Sequence, residues 1–195
     1  MFAAATFEAF INELDELAAG TGGTPGVADP RIKSLAEVLG EAQESKAATR
    51  LKYLLVGVAL QGQPFDRGAP PWQDLDLLIR LRDSIVHLRP VLFHVGANGF
   101  VSTGDKLIQQ LRTRNLLPTF PDGHVMFYLQ WLAPRSVARW AVNTAVRAVM
   151  TIVAALPDGE FRQAVLPQYS GDFTEIAGPS SNDEEWVYEL PRLDA

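Results

Sequence analysis

The stretch WQDLDLLIRLRDSIVHLRP, residues 72–90, is the most informative segment of this 195-residue chain. Projected at 100° per residue, its apolar side chains cover an arc of about 200°, which predicts an α-helix that packs on more than one side. Pro90 predicts the end of this helix, because proline has no amide hydrogen and disfavours helical backbone at the preceding residue. We therefore expect the segment to form a central helix of the fold.

One charged residue of this helix, Arg82, projects into the middle of the apolar arc. A guanidinium in such a position costs several kcal/mol unless it is paired or lies at a water-filled seam. His87 follows five residues later, so on a regular helix the two side chains differ in direction by about 140°. They can meet at one ligand only if the helix distorts or ends before His87, or if the pair forms across a dimer interface. Alternatively both roles are structural, with Arg82 reaching solvent or a loop carbonyl and His87 capping the helix end against its dipole.

The chain on both sides of this segment also shows mainly helical periodicity. Strict alternation of apolar and polar residues is nearly absent, which predicts an all-α bundle of about five to seven helices. Asp29 followed by Pro30 is a typical helix start, with an N-cap and a proline at the first helical position. Residues 91–102 and 125–132 remain ambiguous between helix and extended structure. Apart from 72–87, helices are expected at about 3–19, 30–39 with a break or bend at Gly40, 47–60, 104–116 and 134–156.

The charge of the chain is unevenly distributed. Residues 1–156 contain 15 basic and 14 acidic residues, whereas residues 157–195 contain 2 basic and 9 acidic residues. Together with the prolines of the second part, this predicts a helical domain over 1–156 and an irregular acidic extension over 157–195. The extension is either a solvated tail or a segment that docks on a partner or covers a basic surface. The arginines of the 134–156 helix are one such surface.

Composition excludes several classes of function. The chain has no cysteine and only 3 histidines, which excludes disulfides, thiolate nucleophiles, zinc fingers and iron–sulfur clusters and gives no reason to expect a metal or cofactor. No stretch approaches the ~18 uninterrupted apolar residues of a membrane span. The N-terminus lacks the basic region of a signal peptide. We therefore expect a cytoplasmic protein without a membrane partner.

The sequence Arg82-Asp-Ser-Ile-Val-His87 resembles the R-x4–6-H motif of the HEPN superfamily, all-helical domains that include many metal-independent ribonucleases. Two longer stretches, GQPFDRGAPPWQDLDLLIRLRDSIVH and ARWAVNTAVRAV, look like the loop, motif helix and final helix of an uncharacterised bacterial HEPN-like group. The resemblance covers roughly residues 45–156. Asp83 stands where this group usually has asparagine, and Arg89 stands where it has lysine.

The resemblance implies a HEPN-like fold and a homodimer in which both copies of the motif face one cleft. His87 would transfer protons while the 2′-hydroxyl of RNA attacks the adjacent phosphodiester, and Arg82 would stabilise the charge of the transition state. Asp83 would orient the other two residues, and Arg80 and Arg89 would bind substrate phosphates. No metal takes part. A toxin–antitoxin or defence setting is implied, with RNA as substrate and an antitoxin or a nucleotidyltransferase-type protein as partner.

The sequence leaves open whether the chain is an enzyme. In the competing interpretation it is a non-catalytic helical module that dimerises, or that binds a nucleotide or another protein. Asp83 precedes His87 by four residues, a spacing at which its carboxylate can pair with the imidazole and raise the histidine pKa.

Overall fold

The computed structural model describes residues 2–22, 29–87, 92–96, 99–101, 106–117, 125–127, 134–170 and 175–177. In these ranges the chain forms seven α-helices and three short strands. They are, in order, α1 Phe2–Gly22, α2 Pro30–Glu44, α3 Thr49–Gln61, α4 Trp72–Val86, β1 Leu92–Gly96, β2 Gly99–Val101, α5 Lys106–Thr113, β3 Val125–Phe127, α6 Arg135–Ala155 and α7 Glu160–Ser170. The predicted all-α bundle of five to seven helices is thus confirmed.

The three strands form a small antiparallel sheet in the order β2-β1-β3. In the register, His94 is opposite Val101 on one side and Val125 on the other. The strands lie within the two stretches that the sequence left ambiguous. These stretches are too short for their apolar pattern to distinguish a helix from a strand. Pairing with residues elsewhere in the chain determines that they form strands.

Local sequence signals set several helix ends. The Asp29 carboxylate accepts a hydrogen bond from the amide of Arg31 at 2.8 Å, so the predicted N-cap of α2 is confirmed. Of the break or bend expected at Gly40, the break does not occur, since α2 continues through Gly40 to Glu44. α4 ends at Val86, before Pro90, as the proline predicts.

All seven helices contribute buried side chains to one common core. α1 contacts α2, α3, α4 and α6, and α6 also contacts α3, α4 and α7. On α4 the side chains of Leu75, Leu77 and Leu78 are fully buried, although they point in different directions around the helix. The prediction of a central helix packed on more than one side is therefore confirmed.

α6 is the one helix in the described ranges that is long and apolar enough to cross a membrane by length and composition. Half of its most apolar window is buried against the rest of the chain. Val149 and Ile152, for example, are fully buried in the common core. The core helix of a soluble protein passes the same test, so the finding does not favour a membrane span.

The structure corrects the boundary drawn at Pro157. Residues 160–170 form α7 rather than an irregular segment, and Phe161, Val165 and Tyr169 of this helix are buried in the common core. The ring of Tyr169 packs edge-on against Phe10 at a centroid distance of 5.0 Å. Phe161, Val165 and Tyr169 recur every four residues and so form one apolar face of a helix. Packing of this face stabilises the helix by more than the hydrogen bond lost at Pro167 costs.

A short part of the extension docks on α6. The Glu175 carboxylate accepts two hydrogen bonds from Arg147, at 2.8 and 2.6 Å. The Asn143 side chain donates to the carbonyl of Ile176 and accepts from its amide, at 3.0 and 2.7 Å. These contacts agree with an extension that covers a basic surface of α6. Residues 178–195 lie outside the described residues.

Gly57→Ala is expected to destabilise the protein by about 1–3 kcal/mol, because the added methyl group has no room. A Cβ at this position would lie 2.7 Å from the backbone nitrogen of Phe65 and 3.1 Å from the carbonyl oxygen of Gln63. The loop after α3 would have to move. Urea unfolding of the purified variant measures the change.

Gly40→Ala is the matched control, since it makes the same substitution inside a neighbouring helix. Its Cβ would lie 4.0 Å from the nearest atom, an oxygen of Asp15. This variant is expected to gain about 0.5–1 kcal/mol from the higher helix propensity of alanine. Equal stability of the two variants would contradict the close approach at Gly57.

Candidate functional site

Arg82 is paired with two carboxylates. Its side chain is 27% exposed, and its NH1 donates a hydrogen bond to Oε2 of Glu8 at 2.6 Å. Its Nε and NH2 lie 3.1 and 3.0 Å from Oδ1 of Asp83. The guanidinium therefore lies on the apolar arc of α4 because it is paired, and it binds no loop carbonyl of the described residues.

The two carboxylates also fix the charge state of Arg82. Partial burial works against the charged form, but the hydrogen bond with Asp83 and the attraction of Asp83 and Glu8 outweigh it. The pKa of Arg82 is therefore raised above its usual value. Arg82 thus provides a permanent positive charge at the surface between α1 and α4.

His87 is the first residue after α4, and its side chain is exposed. Its backbone leaves helical geometry with φ −106° and ψ 43°, and its amide donates to the carbonyl of Asp83 at 2.9 Å. The helix therefore ends before the histidine, which is one of the conditions under which Arg82 and His87 can converge. The Asp83 carboxylate contacts Arg82, and no contact of the described residues joins it to the imidazole.

Of the other predicted phosphate ligands, Arg80 is not brought to Arg82. Arg80 differs from Arg82 by about 200° around α4. Its NH2 donates to Oε1 of Gln110 on α5 at 2.8 Å, so it faces the other side of the helix. Arg89 lies outside the described residues.

Arg82 and Asp83 line a groove of about 300 Å³ between α1, the α2–α3 turn and α4. His87 is not part of its lining. No pattern in the sequence predicted the remaining residues of the groove, because they come from segments far away along the chain. In the described ranges, no cluster of three or more histidine, aspartate or glutamate side chains could hold a metal ion. The polar residues of the groove are Glu8, Lys46, Thr49, Arg50, Arg82 and Asp83.

Beside the groove, the carboxylate of Asp76 on α4 is a hydrogen-bonding centre. One oxygen accepts from the hydroxyl of Tyr53 at 2.7 Å and from Nε of Arg50 at 2.8 Å, and the other accepts from Nε and NH2 of Arg67 at 3.0 and 2.6 Å. Burial opposes the negative charge, but the hydrogen bonds from Tyr53, Arg67 and Arg50 outweigh it. They hold the pKa of Asp76 below its usual value. Arg50 is thereby fixed at the first turn of α3.

Comparison with known proteins does not assign this site. The sequence matches no protein-family model, and neither curated proteins nor solved structures show a significant match to it. The chemistry of the site must therefore follow from its own side chains.

Asp76→Asn is expected to lower the free energy of unfolding by about 1–3 kcal/mol at neutral pH, since two arginines and a tyrosine lose a charged acceptor. The pKa of Asp76 is lowered in the folded state, so its contribution is present above its unfolded value of 3.8 and is lost as the pH falls through the lower folded value. The stability difference between wild type and variant should therefore shrink below about pH 4. Urea unfolding over a pH series measures it.

Asp158→Asn is the control, because Asp158 is almost fully exposed and pairs with Arg162 one turn away. It should leave the free energy of unfolding nearly unchanged. A difference between wild type and Asp76→Asn that stays constant down to pH 2 would contradict the lowered pKa.

Proposed function

We propose that this chain is a HEPN-type, metal-independent endoribonuclease that acts as a homodimer. In each copy Arg82, Asp83 and His87 contribute to one RNA-binding cleft. The observation that supports this most is the end of α4 at Val86. It releases His87 from the helical geometry that would otherwise direct it about 140° away from Arg82.

The residue types suit cleavage of RNA without a metal. His87 accepts the proton of the 2′-hydroxyl as its oxygen attacks the adjacent phosphorus, and a protonated histidine donates a proton to the departing 5′-oxygen. The products are a 2′,3′-cyclic phosphate and a free 5′-hydroxyl. Arg82 neutralises the negative charge that builds up on the phosphate oxygens, which a planar guanidinium can bind in pairs.

Asp83 serves in this proposal as a positioning residue for Arg82. Its carboxylate contacts both Nε and NH2 of the guanidinium and so fixes the plane of that group. NH1, on the opposite edge, is bound to Glu8. A substrate phosphate would replace Glu8 at this nitrogen, while Asp83 keeps the arginine in place.

In this proposal a dimer brings an arginine and a histidine of the motif close together, which a single copy does not. Arg82 and His87 are separated by about 7.5 Å along the axis of α4, so two motifs that face each other across a two-fold axis bring an arginine of one copy near a histidine of the other. Val86 is 57% exposed beside His87. A contact between copies at this end of α4 would remove this apolar side chain from water.

A non-catalytic helical module is the second candidate, and specific contacts favour it. The Arg82–Glu8 pair links α1 to α4 over 74 positions of sequence, which is a structural role in itself. A histidine at the C-terminal end of a helix interacts favourably with the helix dipole without any chemistry. Such a module would dimerise or bind a nucleotide or another protein.

The full chain should cleave single-stranded RNA in the presence of EDTA and leave 2′,3′-cyclic phosphate ends. His87→Ala should reduce the rate by about 100-fold or more, because it removes the proton-transfer group. Denaturing gel electrophoresis of labelled RNA measures the rate, and mass spectrometry identifies the ends.

His124→Ala is the matched control, since it removes a histidine outside the motif and should cleave at the wild-type rate. If His87→Ala cleaves as fast as His124→Ala, His87 is not the catalytic residue. If the wild-type chain forms a dimer in analytical ultracentrifugation but cleaves no RNA, the non-catalytic module is the better account.

A further inference from the structure

Asn143 on α6 binds the backbone of the C-terminal extension rather than a side chain. Its Nδ2 donates to the carbonyl of Ile176 at 3.0 Å, and its Oδ1 accepts from the amide of the same residue at 2.7 Å. A neighbouring strand in an antiparallel sheet binds a residue in the same way, through its donor and its acceptor together. Asn143 therefore recognises a segment of extended peptide whatever its side chain.

Arg147, one turn further along α6, binds the side chain of the preceding residue. Its Nε and NH2 donate to the two oxygens of Glu175, at 2.8 and 2.6 Å, a paired geometry that selects a carboxylate over a neutral group. These hydrogen bonds lower the pKa of Glu175, so the contact forms with the ionised carboxylate. Together the two residues of α6 recognise an acidic side chain and the backbone unit that follows it.

The rest of this side of α6 also suits a negatively charged segment. The helix contains three arginines and neither aspartate nor glutamate. Because Glu175 lies at Arg147 and Ile176 at Asn143, the bound segment runs along α6 towards its N-terminus. Arg139 lies one turn further in that direction, and its guanidinium forms no ion pair with the described residues. A second acidic side chain on a longer segment could bind there.

The contacts of Asn143 distinguish a peptide from the backbone of a nucleic acid. A phosphate group could replace the Glu175 carboxylate on Arg147, but an ionised phosphate has no hydrogen to donate to Oδ1 of Asn143. A peptide residue supplies the donor and the acceptor at once. The observed geometry therefore favours an acidic peptide over RNA at this surface.

The segment that fills this surface is held by exposed polar contacts. About half of the Arg147 and Glu175 side chains stays exposed, so water and salt screen the pair. Ile176 is also half-exposed, so its side chain adds little apolar contact. A separate peptide that makes the same hydrogen bonds, and one more to Arg139, can therefore displace the attached segment.

We propose that this side of α6 is a binding site for an extended acidic peptide of a partner protein, and that residues 175–176 occupy it in cis until that peptide replaces them. Arg147 binds an acidic side chain of the peptide, Asn143 binds the backbone of the next residue, and Arg139 binds a later acidic side chain. The site uses neither Arg82 nor His87, so it goes beyond the proposed ribonuclease activity and does not depend on it.

A fluorescently labelled peptide with the sequence of residues 172–178, DFTEIAG, is the probe, and fluorescence anisotropy with the full chain measures its affinity. The variant Glu175→Gln should bind the probe about three- to fivefold more tightly than the wild type, because its own segment competes less for Arg147. The peptide DFTQIAG should bind about tenfold more weakly than DFTEIAG. If neither chain binds the probe saturably, or both bind it equally well, the proposal is overturned.

Further variants, made in the Glu175→Gln chain, separate specific recognition from general charge. Arg147→Ala and Asn143→Asp should each weaken binding by about tenfold, since the first removes the paired donors and the second replaces the amide with a carboxylate that cannot donate. Arg112→Ala is the matched control, because Arg112 is exposed on α5 and forms no ion pair with the described residues. Equal loss in Arg112→Ala and Arg147→Ala would overturn the site.

Two measurements test other occupants of this surface. In spectra of the ¹⁵N-labelled chain, the peptide should shift the side-chain amide signals of Asn143, and a short single-stranded RNA should not. If the RNA shifts them and the peptide does not, the surface binds nucleic acid and the proposal fails. Dissociation of a dimer by the probe in analytical ultracentrifugation would mean that a second copy supplies residues 175–176, which overturns their binding in cis.

Discussion

Asp76 lies on α4 with 13% of its side chain exposed, and its carboxylate accepts hydrogen bonds from Arg50, Tyr53 and Arg67. These partners come from α3 and from the loop that joins α3 to α4. Because a partly buried carboxylate is stable only when such donors surround it, the positions of the three segments depend on one another. The stacking of Tyr53 on Trp72, at 5.1 Å between ring centroids, adds apolar contact at the same junction.

The positions of the site residues depend on these contacts between α3, α4 and the loop that joins them. Arg50 is held by Asp76 at the first turn of α3, which is where the groove begins. Arg82, two turns further along α4, is held by Glu8 and Asp83. The Asp76 carboxylate uses only Nε of Arg50, whereas all three nitrogens of Arg82 contact Glu8 or Asp83. The same contacts stabilise the fold, so a structural role and a binding role are compatible at these residues.

In the C-terminal part, the charge pattern predicted the local structure wrongly but agrees with one contact. The acidity and prolines after Pro157 suggested an irregular extension, but the buried face of α7 makes residues 160–170 part of the helical body. Hydrophobic burial decided this segment, since one proline costs less than exposing Phe161 and Tyr169. The pairing of Glu175 with Arg147 nevertheless agrees with an extension that covers basic residues of α6.

The sequence by itself determined the helical class, the N-cap at Asp29, the central position of α4 and the end of that helix before Pro90. Each of these follows from local chemistry: apolar periodicity, a capping carboxylate, or a missing amide hydrogen. It also singled out Arg82, because a charge on an apolar arc needs a partner. The tertiary structure alone decided that this partner is Glu8, 74 positions away, and that Lys46, Thr49 and Arg50 border the same groove. The spacing of residues in the sequence does not predict this proximity, because the proximity depends on how separate helices pack.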